Sequence, residues 1–207
     1  MTKLISTFVF FVATLVAHAQ SSYEKGMANG LTLWKAGKNA EAIAQFERIA
    51  SVEKNNWLPN YYITIITTFS AFGEQDKNKM KSLLEAAQKT QNILNALEPN
   101  NPEVLVSQAM IHTAWIVFDP MTYGQQLYGE VIGLYEKAAA IAPTNPRVVF
   151  NKASFEKGGA EYFGTDTTPM CEKMKKSIEL FATFKPETPF HPTWGVERAK
   201  QEAANCN

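Results

Sequence analysis

Pro99-Asn100-Asn101-Pro102-Glu103-Val104 recurs 44 residues later as Pro143-Thr144-Asn145-Pro146-Arg147-Val148. A weaker copy, Lys54-Asn55-Asn56-Trp57, lies upstream, and a degenerate one, Pro186-Glu187-Thr188-Pro189, lies downstream. The four copies start at intervals of 45, 44 and 43 residues. A near-constant period of that size predicts a helical repeat array, in which each unit buries its apolar face only against its neighbours. Pro102 and Pro146 suit this reading, because a proline at the first helical position gives up an N–H that has no intrahelical partner.

Working outward from the turns, apolar residues fall at helical spacing in every interval. Tyr23, Met27, Leu31 and Trp34 share one face of a helix over 21–36, which Gly37-Lys38-Asn39 ends. Ile43, Phe46, Ile49 and Val52 mark a second helix over 40–53. Helices are expected over 57–72, 77–98 and 102–118. By composition Tyr61 to Thr68 also suits a strand, but it occupies the first-helix slot of a repeat. The helix over 102–118 is apolar on nearly all sides and is expected to be the most buried. Asp76 and Asp119 stand where N-caps are needed, the second opening a helix that reaches Ala142. Pro146 opens a fourth hairpin, in which Gly158, Gly159 and Gly164 loosen the chain before a helix over 170–184. A polar last helix over 193–206 suits a terminal cap, which has no following neighbour.

The N-terminus reads as a signal peptide. Lys3 precedes an apolar run from Leu4 to Val16, and Ala17-His18-Ala19 offers small residues at a cleavage site. The run falls short of the ~20 residues that a spanning helix needs. Cleavage after Ala19 leaves a single domain over 20–207, expected in the periplasm or secreted, with no membrane insertion. That domain carries 19 basic and 20 acidic residues, a balance that argues against a nucleic-acid partner. Cys171 lies near the start of one helix and Cys206 at the end of the next, and in an antiparallel hairpin such positions are neighbours. A disulfide between them is therefore expected in an exported protein, with two buried free thiols as the alternative.

The segment Gly37-Lys38-Asn39-Ala40-Glu41-Ala42-Ile43-Ala44-Gln45-Phe46 carries the Ala-x3-Phe spacing of a tetratricopeptide hairpin. Tyr135-Glu136-Lys137-Ala138 followed by Pro143 matches the end of such a repeat. With the two Pro-x-Asn-Pro turns, Tyr162-Phe163-Gly164 and Phe190-His191-Pro192-Thr193-Trp194-Gly195, the mature chain resembles the exported tetratricopeptide-like proteins of Bacteroidota. The resemblance implies an all-α fold: a right-handed superhelix of about four antiparallel hairpins with a C-terminal capping helix. The period of about 44 exceeds the usual 34, which keeps HEAT-like repeats as a rival architecture.

Catalytic motifs are missing from the sequence. It contains no HExxH, no P-loop, no Gly-x-Ser-x-Gly and no ligand-spaced Cys/His cluster. No cofactor or metal is expected, and the protein is not expected to be an enzyme. His112, with Trp115 and Asp119 near it, is the most site-like residue, but the repeat register places it inside a hairpin.

Tetratricopeptide arrays bind through the concave face made by the first helix of each hairpin. The resemblance therefore implies a groove that includes Trp34, Asn60, Met110, Thr113, Arg147 and Asn151. Its occupant would be a peptide or a partner protein held by a non-catalytic scaffold. The alternative is an all-α enzyme or small-molecule carrier with a dispersed site near His112, Trp115 and Tyr123.

Overall fold

The computed structural model describes residues 22–206, so the expected signal peptide and its cleavage site lie outside the described residues. The described chain is all-α. Helix α1 spans 22–35. It is followed by α2 (Asn39–Val52), α3 (Trp57–Gly73), α4 (Lys77–Leu97), α5 (Pro102–Phe118), α6 (Pro120–Ile141), α7 (Pro146–Phe163), α8 (Thr168–Thr183) and α9 (Val196–Ala204). Consecutive helices pair as four antiparallel hairpins. The first helices α3, α5 and α7 also pack side by side, and α9 covers α8.

The recurring turn does the same work each time. Asn56, Asn101 and Asn145 are the N-caps of α3, α5 and α7, and each side-chain oxygen accepts a backbone N–H two residues on, at 3.1, 2.9 and 2.9 Å. These bonds satisfy donors that the first helical turn cannot. Asp76 caps α4, and Asp119 both ends α5 and caps α6.

The segment 61–68 is helical. Its β-branched residues adapt by turning their hydroxyls inward: Thr67 Oγ1 donates to the Ile63 carbonyl at 2.7 Å and Thr68 Oγ1 to that of Thr64 at 2.8 Å. Residues 58–68 of α3 are buried without interruption, so α3 exceeds α5 as the most buried helix. The reason is position, since α2, α4, α5 and the segment before α9 all lie against it.

Small residues set the helix approaches. A Cβ on Gly30 would stand 2.6 Å from the Phe46 ring, so the first hairpin needs glycine there. Helix α7 continues through Gly158 and Gly159 to Phe163, where a loosened chain was expected. The last helix starts three residues later than expected, because Gly195 takes φ +112° beneath Phe181. Cys171 and Cys206 form a disulfide with their Cα atoms 5.7 Å apart, which joins α8 to the end of α9 and fits an exported protein. Among the described residues, no helix is long and apolar enough to cross a membrane.

Candidate functional site

The face shared by the first helices is occupied by the chain itself. Residues 184–195, between α8 and α9, fold back as a strap across α1, α3, α5 and α7. Phe190 meets Tyr23 edge-on at 5.6 Å, and its carbonyl accepts the Tyr62 hydroxyl at 2.8 Å. Trp194 stands edge-on to Phe69 at 5.3 Å and donates its indole N–H to Tyr61 Oη at 3.0 Å. His191 lies against Trp57, with Nε2 4.0 Å from Glu103 Oε1 and Nδ1 3.9 Å from Glu187. Burial lowers the His191 pKa; the Glu103 and Glu187 charges oppose that shift and Arg147 reinforces it.

Beneath the strap lies a buried ion pair. Arg147 donates from Nε to Glu103 Oε1 and Oε2 at 2.8 and 2.9 Å, and from Nη2 to Oε1 at 2.6 Å. Asn145 Nδ2 and the Tyr61 hydroxyl also donate to this carboxylate, at 2.6 and 3.1 Å. The Arg147 guanidinium sits 4.5 Å from the centroid of the Phe184 ring. Burial opposes its charge, and Glu103 holds its pKa above the ordinary guanidinium value. Arg147 is fully buried and joins two repeats through Glu103, so its charge does not face an open groove.

The six predicted groove residues divide into two sets. Trp34 is stacked on Phe69 and edge-on to Tyr62, Asn60 is buried in α3, and Arg147 is buried in its ion pair. The other three come together. Met110 and Thr113 of α5 and Asn151 of α7 line a cavity of about 850 Å³ closed on its third side by α6. Asn151 Nδ2 donates to the Arg147 carbonyl at 2.7 Å, and Thr113 Oγ1 to that of Ala109 at 2.8 Å.

Apart from Ser154, which the resemblance also places on the groove face, the rest of the lining was not foreseen. Phe72, Ile116, Val117, Met121, Phe155, Tyr162 and Phe163 give the cavity apolar walls, with Tyr128 and Tyr135 between them. Val117, Met121, Tyr162 and Phe163 are exposed at its rim by 58, 89, 80 and 68%. Gly124, Gly129, Gly158 and Gly159 also line it, and a Cβ on Gly124, Gly129 or Gly158 would meet nothing within 4 Å. Glycine inside a helix costs about 1 kcal/mol relative to alanine, so these residues hold space open against helix stability. Glycines gathered in two consecutive helices were the one sequence signal that pointed here. Arg198 of α9 is the charged residue in the lining. Burial raises the pKa of the Tyr135 phenol, and the Arg198 charge and a hydrogen bond with Thr113 oppose that rise.

His112 lies outside this cavity. It faces α6, half-buried, with Nδ1 3.5 Å from Glu130 Oε2 and without a formed hydrogen bond. Burial lowers its pKa, with Glu130 opposing. Trp115 packs against Phe118 at 5.5 Å and Tyr123 at 5.0 Å. The trio expected for a dispersed site is thus part of the α5–α6 packing. Among the described residues, no group of three or more His, Cys, Asp or Glu side chains is placed to hold a metal ion.

No protein-family profile matches the chain, and no curated protein matches it in sequence. Among solved structures, the fold is similar to that of the HusA haemophore from Porphyromonas gingivalis. The two chains align at 23% identity and a TM-score of 0.78 over 89% of this chain and 92% of that one. The likeness is one of fold. It corrects the expectation of a scaffold holding a peptide or protein partner, because the similar protein is a haemophore and the shared face of the first helices carries the chain's own strap. The chain is therefore a helical-hairpin array similar in fold to a haemophore of a Bacteroidota species.

Proposed function

We propose that this protein is a non-catalytic, exported carrier of a large apolar small molecule of the haem class. The cavity between α5, α6 and α7 holds the cargo. The observation that carries the reading is the apolar cavity of about 850 Å³ with Val117, Met121, Tyr162 and Phe163 exposed at its mouth. That volume lies in the range of pockets that bury most of a drug-sized ligand. Large apolar side chains left in water at a concave site mark a binding surface. The fold likeness to a haemophore supports the same class of cargo. The hairpins are of the tetratricopeptide type with lengthened helices, and they bind through an apolar pocket with an open mouth rather than an extended groove. Neither His112 nor His191 lines the pocket; its walls offer apolar contact, with Tyr128, Tyr135, Met110 and Met121 as the side chains of a haem-ligating type.

The helix glycines supply the test. Replacing Gly124 and Gly158 with leucine fills the cavity while improving helix propensity. Haem titration followed by Soret absorbance should show saturable one-site binding to the wild type and at least tenfold weaker binding to Gly124→Leu/Gly158→Leu. The double variant should unfold at an equal or higher temperature, which separates a blocked pocket from a damaged fold. Equal haem affinity in the two proteins, or none in the wild type, refutes the assignment.

A further inference from the structure

The cavity has a polar end. Thr113, Tyr135, Asn151 and Ser154 gather there, and Arg198 is the charged side chain that reaches it. Arg198 belongs to α9, outside the three helices that make the walls. Its Nε donates to Glu202 Oε1 at 2.6 Å. The other oxygen of Glu202 accepts the Ser154 hydroxyl at 2.6 Å, which ties α9 to α7 beside the cavity. The guanidinium lies 5.9 Å from the centroid of the Phe150 ring. One carboxylate thus engages Nε and holds the guanidinium in place, leaving the two terminal nitrogens with donors that the described residues do not use.

We infer that Arg198 is the anchor for a carboxylate on the cargo, so the pocket selects an apolar molecule that carries an acid group and sets which end enters first. This rests on the carrier reading above and narrows it. A guanidinium fixed through Nε presents its terminal N–H groups as a planar fork, the geometry that matches a carboxylate. An otherwise apolar pocket takes its orientation from a few such placed groups. A flat molecule bound by apolar contact alone would slide or flip, and one charged contact at one end removes that freedom. Arg198 is partly exposed, so the contact is screened and its effect on affinity is moderate.

The test uses protoporphyrin and its dimethyl ester, which share a ring and differ in their acid groups. Wild type, Arg198→Gln and Arg198→Lys are each titrated with both. Wild type should bind the acid roughly tenfold more tightly than the ester, as expected of one charge-assisted contact. Arg198→Gln should lose that preference and leave ester binding unchanged, and Arg198→Lys should restore part of it. Equal affinity of wild type for acid and ester overturns the inference, as does an Arg198→Gln variant that weakens both alike. If wild type binds neither porphyrin, the haem-class reading fails, and the anchor is judged on an anthroyloxy-labelled stearic acid and its methyl ester. Acid preference that disappears in Arg198→Gln then supports the anchor; equal binding of the two lipids, or binding of neither, sinks it.

Discussion

Glu103 and Arg147 occupy the same place in consecutive copies of the turn, and their opposite charges join two repeats from the inside. The carboxylate takes donors from Arg147, Asn145 and Tyr61, so its lone pairs are well used, whereas Arg147 Nη1 is buried without a hydrogen-bond partner among the described residues. Removing one partner leaves the other charge buried and uncompensated. Glu103→Gln should lower the unfolding free energy by about 3 kcal/mol, and replacing both residues with apolar ones of similar volume should cost less than that. Urea denaturation of both variants measures this, and a loss under about 1 kcal/mol for Glu103→Gln would mean the pair is hydrated. Helical periodicity places Glu103 and Arg147 at helix starts. It does not say that they meet, because the contact spans 44 residues and depends on how two hairpins stack.

At the scale of elements, the helices were readable almost to the residue. Asparagine or aspartate at the caps and proline at N1 punctuate the chain, and those signals are local. The errors fall where long-range contact decides. Glycines 158 and 159 read as a break but sit inside α7, where Tyr128 of α6 comes so close that a Cβ on Gly159 would stand 2.7 Å from its hydroxyl. The α8–α9 unit is the smallest element pair and the one that carries a covalent tie. The bond between Cys171 and Cys206 closes a span of 35 residues. The chain-entropy account assigns such a loop about 3–4 kcal/mol. Cys171→Ala/Cys206→Ala should therefore lower the unfolding free energy of the oxidised protein, measured by urea denaturation, by that amount, and the same treatment with reductant should leave the variant unchanged. Because α9 also carries Arg198, the variant should in addition bind acidic cargo less selectively.

At the scale of the whole molecule, the strap decides what the array does. By lying along the first helices from Tyr23 of α1 to Arg147 of α7, it turns an open superhelical face into packed interior, and the apolar cavity stands beside it between α5, α6 and α7. Its centre, His191, faces Glu103, Arg147 and Glu187. Burial lowers the His191 pKa from its ordinary 6.5, as it does that of His112. The unfolded chain therefore binds protons more readily than the folded one between those lowered values and 6.5, so stability rises with pH across that window. Acidification from about pH 7.5 to about pH 5.5 should lower the urea midpoint, and His191→Asn/His112→Asn should flatten the dependence. A wild-type midpoint that stays constant over this range, or a double variant with the wild-type slope, would contradict the assignment.

What the sequence by itself determined is the architecture: an all-α array of hairpins set by a period near 44, with its caps, its turn prolines and the pairing of Cys171 with Cys206. Those features follow from local backbone chemistry and from the regular spacing of apolar residues, and both are written along the chain. What only the tertiary structure decided is which faces stay open. Trp34, Asn60 and Arg147 were read as groove residues and are packed or buried, whereas Met110, Thr113 and Asn151 reach a cavity. The difference comes from a strap whose contacts, such as Tyr62 with Phe190 across 128 residues, leave no periodic trace. Enclosure is a property of several segments meeting, so no single segment could disclose it.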